Sequence, residues 1–391
     1  MEFSLKLSKI KPSATMAMNA KAQELRAQGK KIVSLAVGEP DFNTPDHVKQ
    51  AAIDAINDNF TRYTPVPGIP GLRDAAAGYF KTFYGVESGP ETIIITNGGK
   101  QSLYNIFTAL LNPGDEVLIP APYWVSYPDM VLLASGDPVI VPTTQESGFL
   151  TSPEELDKYW TPRTRILVLN SPSNPTGCTY PKDKLDAIAA WAVERNILVV
   201  SDEIYDQLVY PPAEPASLSP WFAKYPEHFA ICNGLAKSFA MTGWRVGFCM
   251  AHPDLIKAMN KIQGQQTSNI CSIAQKAALA ALTGSFEGVK VMREAFERRR
   301  DLALSIISAW PGVHCVKPDG AFYLFPDLST FYNDAVTGSA DLAKIILEQA
   351  EVATVPGVAF GDDRCVRFSY AVADEVLTDA LNRVGEVLTR L

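Results

Sequence analysis

R-I-L-V-L-N-S-P-S-N-P-T-G at residues 165–177 and I-L-V-V-S-D-E-I-Y at residues 197–205 are two apolar runs, and each ends in polar residues. A helix-like stretch at residues 182–195 separates them. Apolar strands that alternate with helices are typical of a mostly parallel sheet with helices on both faces. The sequence therefore predicts an α/β fold.

Five further runs rich in Val, Ile and Leu extend this pattern up to residue 250. They lie at residues 92–96, 116–119, 138–141, 229–232 and 246–250. Together with the two runs above, they predict a mostly parallel seven-stranded sheet that is sandwiched between helices.

After about residue 255 the pattern changes to longer helical stretches, which indicates a second, smaller α+β unit. Its expected strands are residues 315–317, 320–325 and 364–370, and its expected helices are residues 339–350 and the C-terminus. A helix-like stretch at residues 16–27 and a short strand at 32–35 are expected to pack with this unit. We therefore predict a large domain over residues 46–296, and a small domain formed by residues 1–45 and 297–391.

Composition limits the possible partners. The 391 residues include 35 basic and 43 acidic side chains, so the formal net charge is −8, which is unfavourable for nucleic-acid binding. No apolar run reaches membrane-spanning length, and the lysine-containing N-terminus does not resemble a secretory signal. The cysteines have no C-x-x-C spacing and the histidines are not paired as ligands, so no metal site is expected. We expect a cytoplasmic protein with reduced cysteines.

Polar residues follow the apolar runs, at the strand ends where ligands bind in open α/β sheets. N-G-G-K-Q at residues 97–101 leads into an apparent helix whose free N–H groups favour a phosphate, although a plain glycine turn is the alternative. Asp202 is expected to be half-buried and to need a cation, such as a protonated pyridine nitrogen. The alternative for Asp202 is a helix N-cap. Tyr205 is expected on the same helical face as Asp202, unless it only packs in the core.

Lys237 lies in N-G-L-A-K-S-F-A-M-T-G-W-R at residues 233–245, between a strand-like run and a Gly-Trp-Arg cluster. A lysine in this position is a candidate for covalent attachment of a cofactor, whereas most lysines are solvated surface charges. Combined with the polar strand ends, it supplies the groups that a pyridoxal phosphate site needs.

Eight stretches, in order along nearly the whole chain, resemble a known family. They are G-E-P-D-F-N-T-P at 38–45, Y-T-P-V-P-G-I-P-G-L-R at 63–73, N-G-G-K-Q at 97–101, P-Y-W at 122–124, N-P-T-G at 174–177, S-D-E-I-Y at 201–205, K-S-F-A-M-T-G-W-R-V-G at 237–247 and R-F-S-Y-A at 367–371. On these residues the chain resembles the class I aminotransferases of the pyridoxal-phosphate fold-type I family, in the bacterial aspartate aminotransferase branch.

The resemblance implies a role for each residue at the cofactor ring. Lys237 would bind pyridoxal phosphate covalently, and Asp202 would pair with the pyridinium nitrogen. Tyr205 and Asn174 would hydrogen-bond the phenolic oxygen, and Trp124 would stack on the ring.

The resemblance also implies how the phosphate is held. Arg245 and the backbone of Gly99 and Lys100 would bind it, and Tyr63 would reach the phosphate of the neighbouring subunit in a homodimer. The chain departs from many family members at Gly234, where they carry a serine three residues before the lysine. Ser238 is a candidate to compensate.

For the substrate, the resemblance implies that Arg367 takes the α-carboxylate with help from Gly38 and Asn174, next to Trp124. This assignment agrees with the chemistry, because a guanidinium presents paired donors that match a carboxylate and stays charged. A surface ion pair is the alternative for both Arg367 and Arg245.

The distal carboxylate of a dicarboxylic substrate needs another cation. The better-known aspartate branch uses an arginine from the partner subunit, but residues 261–272 contain none. Lys100 is the leading candidate, since branch members without that arginine have a lysine there. Ser13 and Thr15 would add hydroxyl donors, or else cap the helix at residues 16–27.

The main functional prediction is a homodimeric aminotransferase that moves an amino group between aspartate and 2-oxoglutarate by a ping-pong route, with prephenate as a possible second acceptor. Alternatives on the same fold are a transaminase for aromatic or other amino acids and a carbon–sulfur lyase. A third alternative is an amino-acid-sensing regulator, which would need an additional DNA-binding module.

Overall fold

The structure of the protein, a computed structural model, describes residues 2–4, 6–10 and 14–391, and only the backbone of residues 14–16 and 19. Its α-helices are α1 (Ala14–Ala27), α2 (Asp46–Asn57), α3 (Pro70–Tyr84), α4 (Gly99–Leu110), α5 (Ser126–Leu133), α6 (Pro153–Asp157), α7 (Lys182–Glu194), α8 (Ser219–Lys224), α9 (Pro253–Gln266), α10 (Ser272–Thr283), α11 (Glu287–Ile307), α12 (Ser339–Ile345) and α13 (Asp374–Leu388). Its strands are β1 (Val33–Ser34), β2 (Ile93–Thr96), β3 (Glu116–Ala121), β4 (Asp137–Pro142), β5 (Thr164–Asn170), β6 (Leu198–Asp202), β7 (Phe229–Gly234), β8 (Gly247–Met250), β9 (Tyr323–Leu324), β10 (Val352–Ala353), β11 (Val355–Pro356) and β12 (Val366–Ser369).

The seven predicted strands form one sheet in the order β2-β8-β7-β6-β5-β3-β4. Strand β8 is antiparallel to β7 and β2, and the other neighbouring pairs are parallel. The prediction of a mostly parallel seven-stranded sheet is therefore confirmed. The connection from β7 to β8 contains no helix, so β8 returns beside β7 in the opposite direction. Because β8 is reversed, the carboxyl ends of the six other strands share an edge with the start of β8.

Helices cover both faces of this sheet. In β5, Leu167 belongs to the same apolar core as Ile188 of α7. The next residue, Val168, points to the other face of the sheet and belongs to the same core as Phe107 of α4. This alternation follows from the two-residue period of a strand. With both faces occupied, the carboxyl edge is where a ligand can be bound.

The smaller unit contains an antiparallel sheet in the order β11-β12-β9 and the helices α12 and α13. The predicted helix at 339–350 is confirmed as α12 followed by a π-helical turn, Ile346–Ala350, and the predicted strand at 364–370 is confirmed as β12. The strand predicted at 320–325 is shortened to β9. The strand predicted at 315–317 is wrong: this stretch lies outside any strand, and the adjacent Pro318 has no N–H with which to extend a ladder.

The N-terminal segment is joined to the smaller unit, as expected. Strand β1 pairs in parallel with β10, Val33 opposite Val352. The predicted domain boundary between residues 296 and 297 falls inside α11, and the division into two domains stays a prediction. Within the described residues, the helices are all too short or too polar to cross a membrane.

Candidate active site

A cavity of about 350 Å³ opens at the carboxyl edge of the large sheet. Its floor comes from the ends of β5 and β6, the start of α4 and the connection that carries Lys237. Its other wall comes from Tyr323 of β9, Arg367 of β12 and residues 37–39. The cavity therefore lies between the large sheet and the smaller unit.

Lys237 faces this cavity from the helix-free connection between β7 and β8. Its Nζ donates a hydrogen bond to the carbonyl oxygen of Gly38 at 2.5 Å. Burial lowers the pKa of Lys237 to about 8, and the charges of Arg367 and Arg245 act in the same direction. An amine with this pKa is partly unprotonated near neutral pH, which suits a nucleophile and proton carrier.

Asp202 ends β6 at the floor of the cavity and is only 7% exposed. One carboxylate oxygen accepts a hydrogen bond from the Tyr127 hydroxyl at 2.7 Å, and the other accepts one from the backbone N–H of Ile204 at 3.3 Å. Burial raises the pKa of Asp202 to about 6. No helix begins at Asp202, so the N-cap alternative is wrong, and the expected helical face shared with Tyr205 is replaced by a turn.

Tyr205 nevertheless reaches the cavity, because the turn brings it beneath Tyr323 of the other wall. The two hydroxyl oxygens are 2.9 Å apart. Sequence reasoning missed Tyr323 and Tyr127, which are both aromatic residues with a hydroxyl group. Tyr127 was detectable three residues after Trp124, and their rings pack edge to face at 5.4 Å.

Arg367 is the most deeply buried cation of the cavity, at 2% exposure. Its guanidinium donates to the side-chain oxygen of Asn174 at 2.8 Å and to the carbonyl of Ala36 at 2.6 Å, and it lies 4.6 Å from the Tyr323 ring centroid. Its Nε has no hydrogen-bond partner among the described residues, and it forms no ion pair with any described carboxylate. An uncompensated buried charge is costly, so this arginine is suited to an anionic ligand.

A second anion site lies where α4 begins. Gly98 has φ of +84°, and Gly99 is the first residue of the helix. Arg245 adopts φ of +56°, which is unusual for a side chain of this size, and its guanidinium approaches the carbonyls of Thr242 at 3.0 Å and Asn97 at 3.4 Å. Helix N–H groups and an arginine converge here, as a phosphate requires. The surface ion-pair alternative is wrong for Arg245 as for Arg367 within the described residues.

Lys100 points along the same rim. Its Nζ hydrogen-bonds the Ser126 hydroxyl at 3.1 Å and lies 4.7 Å from the Trp124 ring centroid. Burial and the charge of Arg245 lower its pKa. Lys100 also borders a neighbouring cavity of about 480 Å³, so its amine can meet a group that extends away from Lys237.

The departure at Gly234 has a steric reason. A Cβ at Gly234 would lie 3.0 Å from the carbonyl of Val246 and 3.1 Å from the Cα of Gly247, because β7 and β8 run close together here. A serine would therefore require its neighbours to shift by a few tenths of an ångström. The hydroxyl of Ser238 is buried without a hydrogen-bond partner among the described residues, but Ser238 does not line the cavity.

The remaining predicted residues are Tyr63, Ser13, Thr15 and Gly38. Tyr63 is 91% exposed and does not line the cavity, and its contact with a neighbouring subunit stays a prediction. Ser13 lies outside the described residues, and so does the side chain of Thr15. Gly38 lines the cavity, where a Cβ would lie 2.6 Å from the Tyr323 hydroxyl. Sequence reasoning missed the neighbouring Glu39, which also lines it.

The geometry can be compared with known proteins. A model of the family "Aminotransferase class I and II" matches residues 30–384. The chain belongs to this family. The match confirms the resemblance carried by the eight quoted stretches, and it covers both the large sheet and the smaller unit.

Aminotransferase relatives match over nearly the full length. The aspartate/prephenate aminotransferase of Thermus thermophilus is 48% identical and covers 99% of each chain. The aspartate/prephenate aminotransferase of Cereibacter sphaeroides is 46% identical, and the alignment covers 97% of this chain and 96% of the relative. A solved structure of the Thermus thermophilus aspartate aminotransferase with maleate has a TM-score of 0.94 at 47% identity, covering 99% of this chain and 100% of that one. The aspartate aminotransferase from Rhizobium meliloti has a TM-score of 0.95 at 37% identity over the whole of both chains. The fold-type I prediction is confirmed.

Proposed function

We propose that this aminotransferase depends on pyridoxal phosphate and moves an amino group between L-aspartate and 2-oxoglutarate, giving oxaloacetate and L-glutamate by a ping-pong route. One observation carries the proposal: a buried arginine without a carboxylate partner, Arg367, and a lysine of lowered pKa, Lys237, face one cavity. An amino acid presents the carboxylate and the amine that these two groups match. The names of the relatives support aspartate as the donor.

The residues around the cavity fit this cofactor. When bound, pyridoxal phosphate supplies an aldehyde for the amino group and an electron-poor ring that stabilises negative charge on the substrate. Asp202, a buried carboxylate without an ion-pair partner among the described residues, would hold the positive ring nitrogen. Tyr205 and Asn174 would hydrogen-bond the phenolic oxygen, and Trp124 would cover the ring. These roles stay proposals.

The phosphate would bind where α4 begins. The backbone N–H groups of Gly99 and Lys100 and the guanidinium of Arg245 converge there. The hydroxyl of Ser238, which has no partner among the described residues, would supply the donor that Gly234 lacks. This arrangement would hold a dianion without a metal ion.

Lys237 would act twice, as the cofactor attachment point and as the group that moves a proton at the substrate α-carbon. Its lowered pKa, about 8, allows both forms near neutral pH. Arg367 would hold the α-carboxylate as a two-pronged donor and so orient the α-carbon towards Lys237, helped by Gly38 and Asn174.

Lys100 would bind the distal carboxylate of aspartate or glutamate. It is a cation on the exposed rim of the cavity, and its Nζ lies 4.7 Å from the Trp124 ring centroid. Prephenate, which also carries two carboxylates, is a second acceptor under this proposal, supported by the names of two relatives.

We further propose a cytoplasmic homodimer in which Tyr63 reaches the phosphate of the partner. The exposure of this tyrosine supports the proposal, because a large aromatic side chain in full contact with water is available to another subunit.

The experiment is an assay of amino transfer to 2-oxoglutarate from a panel of donors, coupled with borohydride reduction and peptide mapping. Aspartate should be the preferred donor, and reduction should fix the cofactor to Lys237. Lys237→Ala should be inactive, whereas Lys257→Ala, which removes an exposed lysine paired with Asp254, should be active. A label on another lysine, or pyruvate release without amino transfer, would refute the proposal.

A further inference from the structure

We name residues 36–44 the strap; this short segment includes residues 37–39 of the cavity wall. Its inner contacts reach two groups of the proposed chemistry. The carbonyl of Ala36 accepts a hydrogen bond from Arg367 at 2.6 Å, and the carbonyl of Gly38 accepts one from Lys237 at 2.5 Å. The position of the strap therefore sets the direction of both cations.

The strap is also bound to the connection that carries Lys237. The carboxylate of Glu39 accepts a hydrogen bond from the Thr242 hydroxyl at 2.9 Å, and the Thr44 hydroxyl donates to the carbonyl of Ala240 at 2.8 Å. These bonds fix the two sides of the strap, but its middle turns away from the cavity towards α11.

The middle of the strap is held by Arg299 of α11. This guanidinium donates to Asp41 at 2.7 Å and to Asp374 at 3.0 Å, and its side chain is only 8% exposed. Phe42 packs edge to face on Phe296 at 5.7 Å, with the guanidinium 5.5 Å from the Phe42 ring centroid. A buried arginine shared between two carboxylates is a rigid link, because its planar fork fixes both directions.

We propose that Arg299 is a positioning residue for substrate binding: through Asp41 it fixes the strap, and the strap in turn aims Arg367 at the substrate carboxylate. Arg299 is in contact with neither Lys237 nor Arg367, so its effect passes through the backbone from residue 41 to residue 36. The inference rests on the proposed function for the choice of ligand.

Asp41→Asn is the variant that isolates this link. It keeps the side-chain volume and removes the charge that draws Arg299 to the strap. Arg299 keeps Asp374 as a partner, and hydrogen bonds from Arg298 and Arg299 hold the pKa of Asp374 at about 2, so that carboxylate stays ionised. The buried arginine is therefore not left uncompensated, and the variant should fold.

Arg298→Gln is the matched control. Arg298 donates to the same Asp374 at 2.9 and 3.1 Å, but it is 61% exposed and has no contact with the strap. The Arg298→Gln substitution weakens the hydrogen bonds to Asp374 at the start of α13 and leaves the bond between Arg299 and Asp41 intact. A merely structural role of the cluster would make the two variants behave alike.

Three measurements are made on the holoenzyme: hydrogen exchange of a peptide spanning residues 36–44, the dissociation constant of succinate followed by the cofactor absorbance, and the split between kcat and KM for aspartate. In Asp41→Asn we expect faster exchange in that peptide and weaker succinate binding by about tenfold, since a misplacement of about 1 Å can cost up to about a hundredfold. KM should rise in parallel with little change in kcat. Arg298→Gln should match the parent, and Asp41→Glu, which restores the charge, should recover part of the affinity.

Unchanged exchange and unchanged succinate affinity in Asp41→Asn overturn the inference, as does an equal effect in Arg298→Gln. If Asp41→Asn does not fold, Arg299→Lys takes its place, because a single ammonium cannot span both carboxylates with the geometry of the fork. Failure of the parent enzyme to bind succinate or use aspartate refutes the proposed function instead. The exchange comparison still decides the role of the Asp41–Arg299 pair in that case.

Discussion

Replacing Asp202 with asparagine should change stability and activity in opposite directions. Asp202 is buried and forms no ion pair with a described cation; burial raises its pKa from 3.8 to about 6, although the charge of Lys237 acts in the opposite direction. That shift corresponds to about 3 kcal/mol of disfavoured ionisation, since one pKa unit is about 1.4 kcal/mol. The ionised carboxylate therefore lowers the stability of the folded protein until a positively charged ligand binds beside it.

The sign of the pH dependence follows from the raised pKa. The folded state binds the proton of Asp202 more tightly than the unfolded state, so the cost is absent below pH about 4, grows between about 4 and 6, and is complete above about 6. Asparagine has no charge to bury, and the Tyr127 hydroxyl can accept from its amide instead of donating. Cofactor-free Asp202→Asn should therefore be more stable than the parent by up to about 3 kcal/mol at pH 7.5, and by much less at pH 4.5.

The same change should remove most of the activity. A neutral amide cannot hold the charge on the ring nitrogen, so we expect turnover to fall on the order of a thousandfold while the cofactor is retained through Lys237. The assays are urea denaturation of the cofactor-free protein at both pH values and aspartate turnover of the holoenzyme. Glu203→Gln is the control, because Glu203 is also a buried carboxylate but does not line the cavity. The turnover of this variant should stay near normal.

Two results would refute this reasoning. Equal stability of Asp202→Asn and the parent at pH 7.5 would mean that the carboxylate is not destabilised by burial. Near-normal turnover of the variant would mean that Asp202 has only a structural role.

Three further predictions follow from the other cations and from Tyr63. Lys100→Ala should lower the ratio of catalytic efficiencies for aspartate over phenylalanine by about tenfold, because the distal carboxylate loses its cationic partner at a solvent-exposed rim; an unchanged ratio would assign Lys100 to the cofactor or the fold. Mixing inactive Lys237→Ala chains with inactive Tyr63→Ala chains should restore some activity through hybrid dimers, and no restoration in hybrids shown to form would count against a shared site. In the cofactor-free protein, labelling of Lys237 by an amine reagent should rise with a midpoint near pH 8, because burial favours the neutral amine; a midpoint near that of an ordinary lysine would contradict this environment.

The sequence was sufficient for the sheet and for much of the candidate site. The apolar runs place seven strands, because a strand buried on both faces must be apolar throughout. The sequence did not predict the reversal of β8, which depends on the absence of a helix between residues 235 and 246. It also did not separate a helix from a turn after Asp202, since both place Tyr205 three residues along near the same ligand.

Residues that act by contact with other side chains were harder to find. Tyr127 hydrogen-bonds Asp202 across 75 positions of sequence, and Tyr323 reaches Tyr205 across 118. Each looks like ordinary core in its own strand or helix, and only tertiary packing gives it a polar partner. The contact of Arg299 with Asp41, 258 positions away, cannot be predicted from the sequence pattern for the same reason.

The charged side chains of the cavity indicate the charges of the ligands that bind there. The chain as a whole has a net charge of −8, yet Arg367, Arg245 and Lys100 face the cavity without an ion-pair partner among the described carboxylates. Of these three cations only Arg367 is buried, and a protein that only needed to fold would pair or expose it, because burying a charge alone is costly; Arg245 and Lys100 are exposed at the rim. Asp202 is the complementary case, a buried carboxylate without an ion-pair partner in the described part of the chain. Each unpaired group therefore indicates the charge of what binds there: an anion at Arg367, at Arg245 and at Lys100, and a cation at Asp202. An amino acid with two carboxylates, together with a phosphorylated pyridinium, has this set of charges.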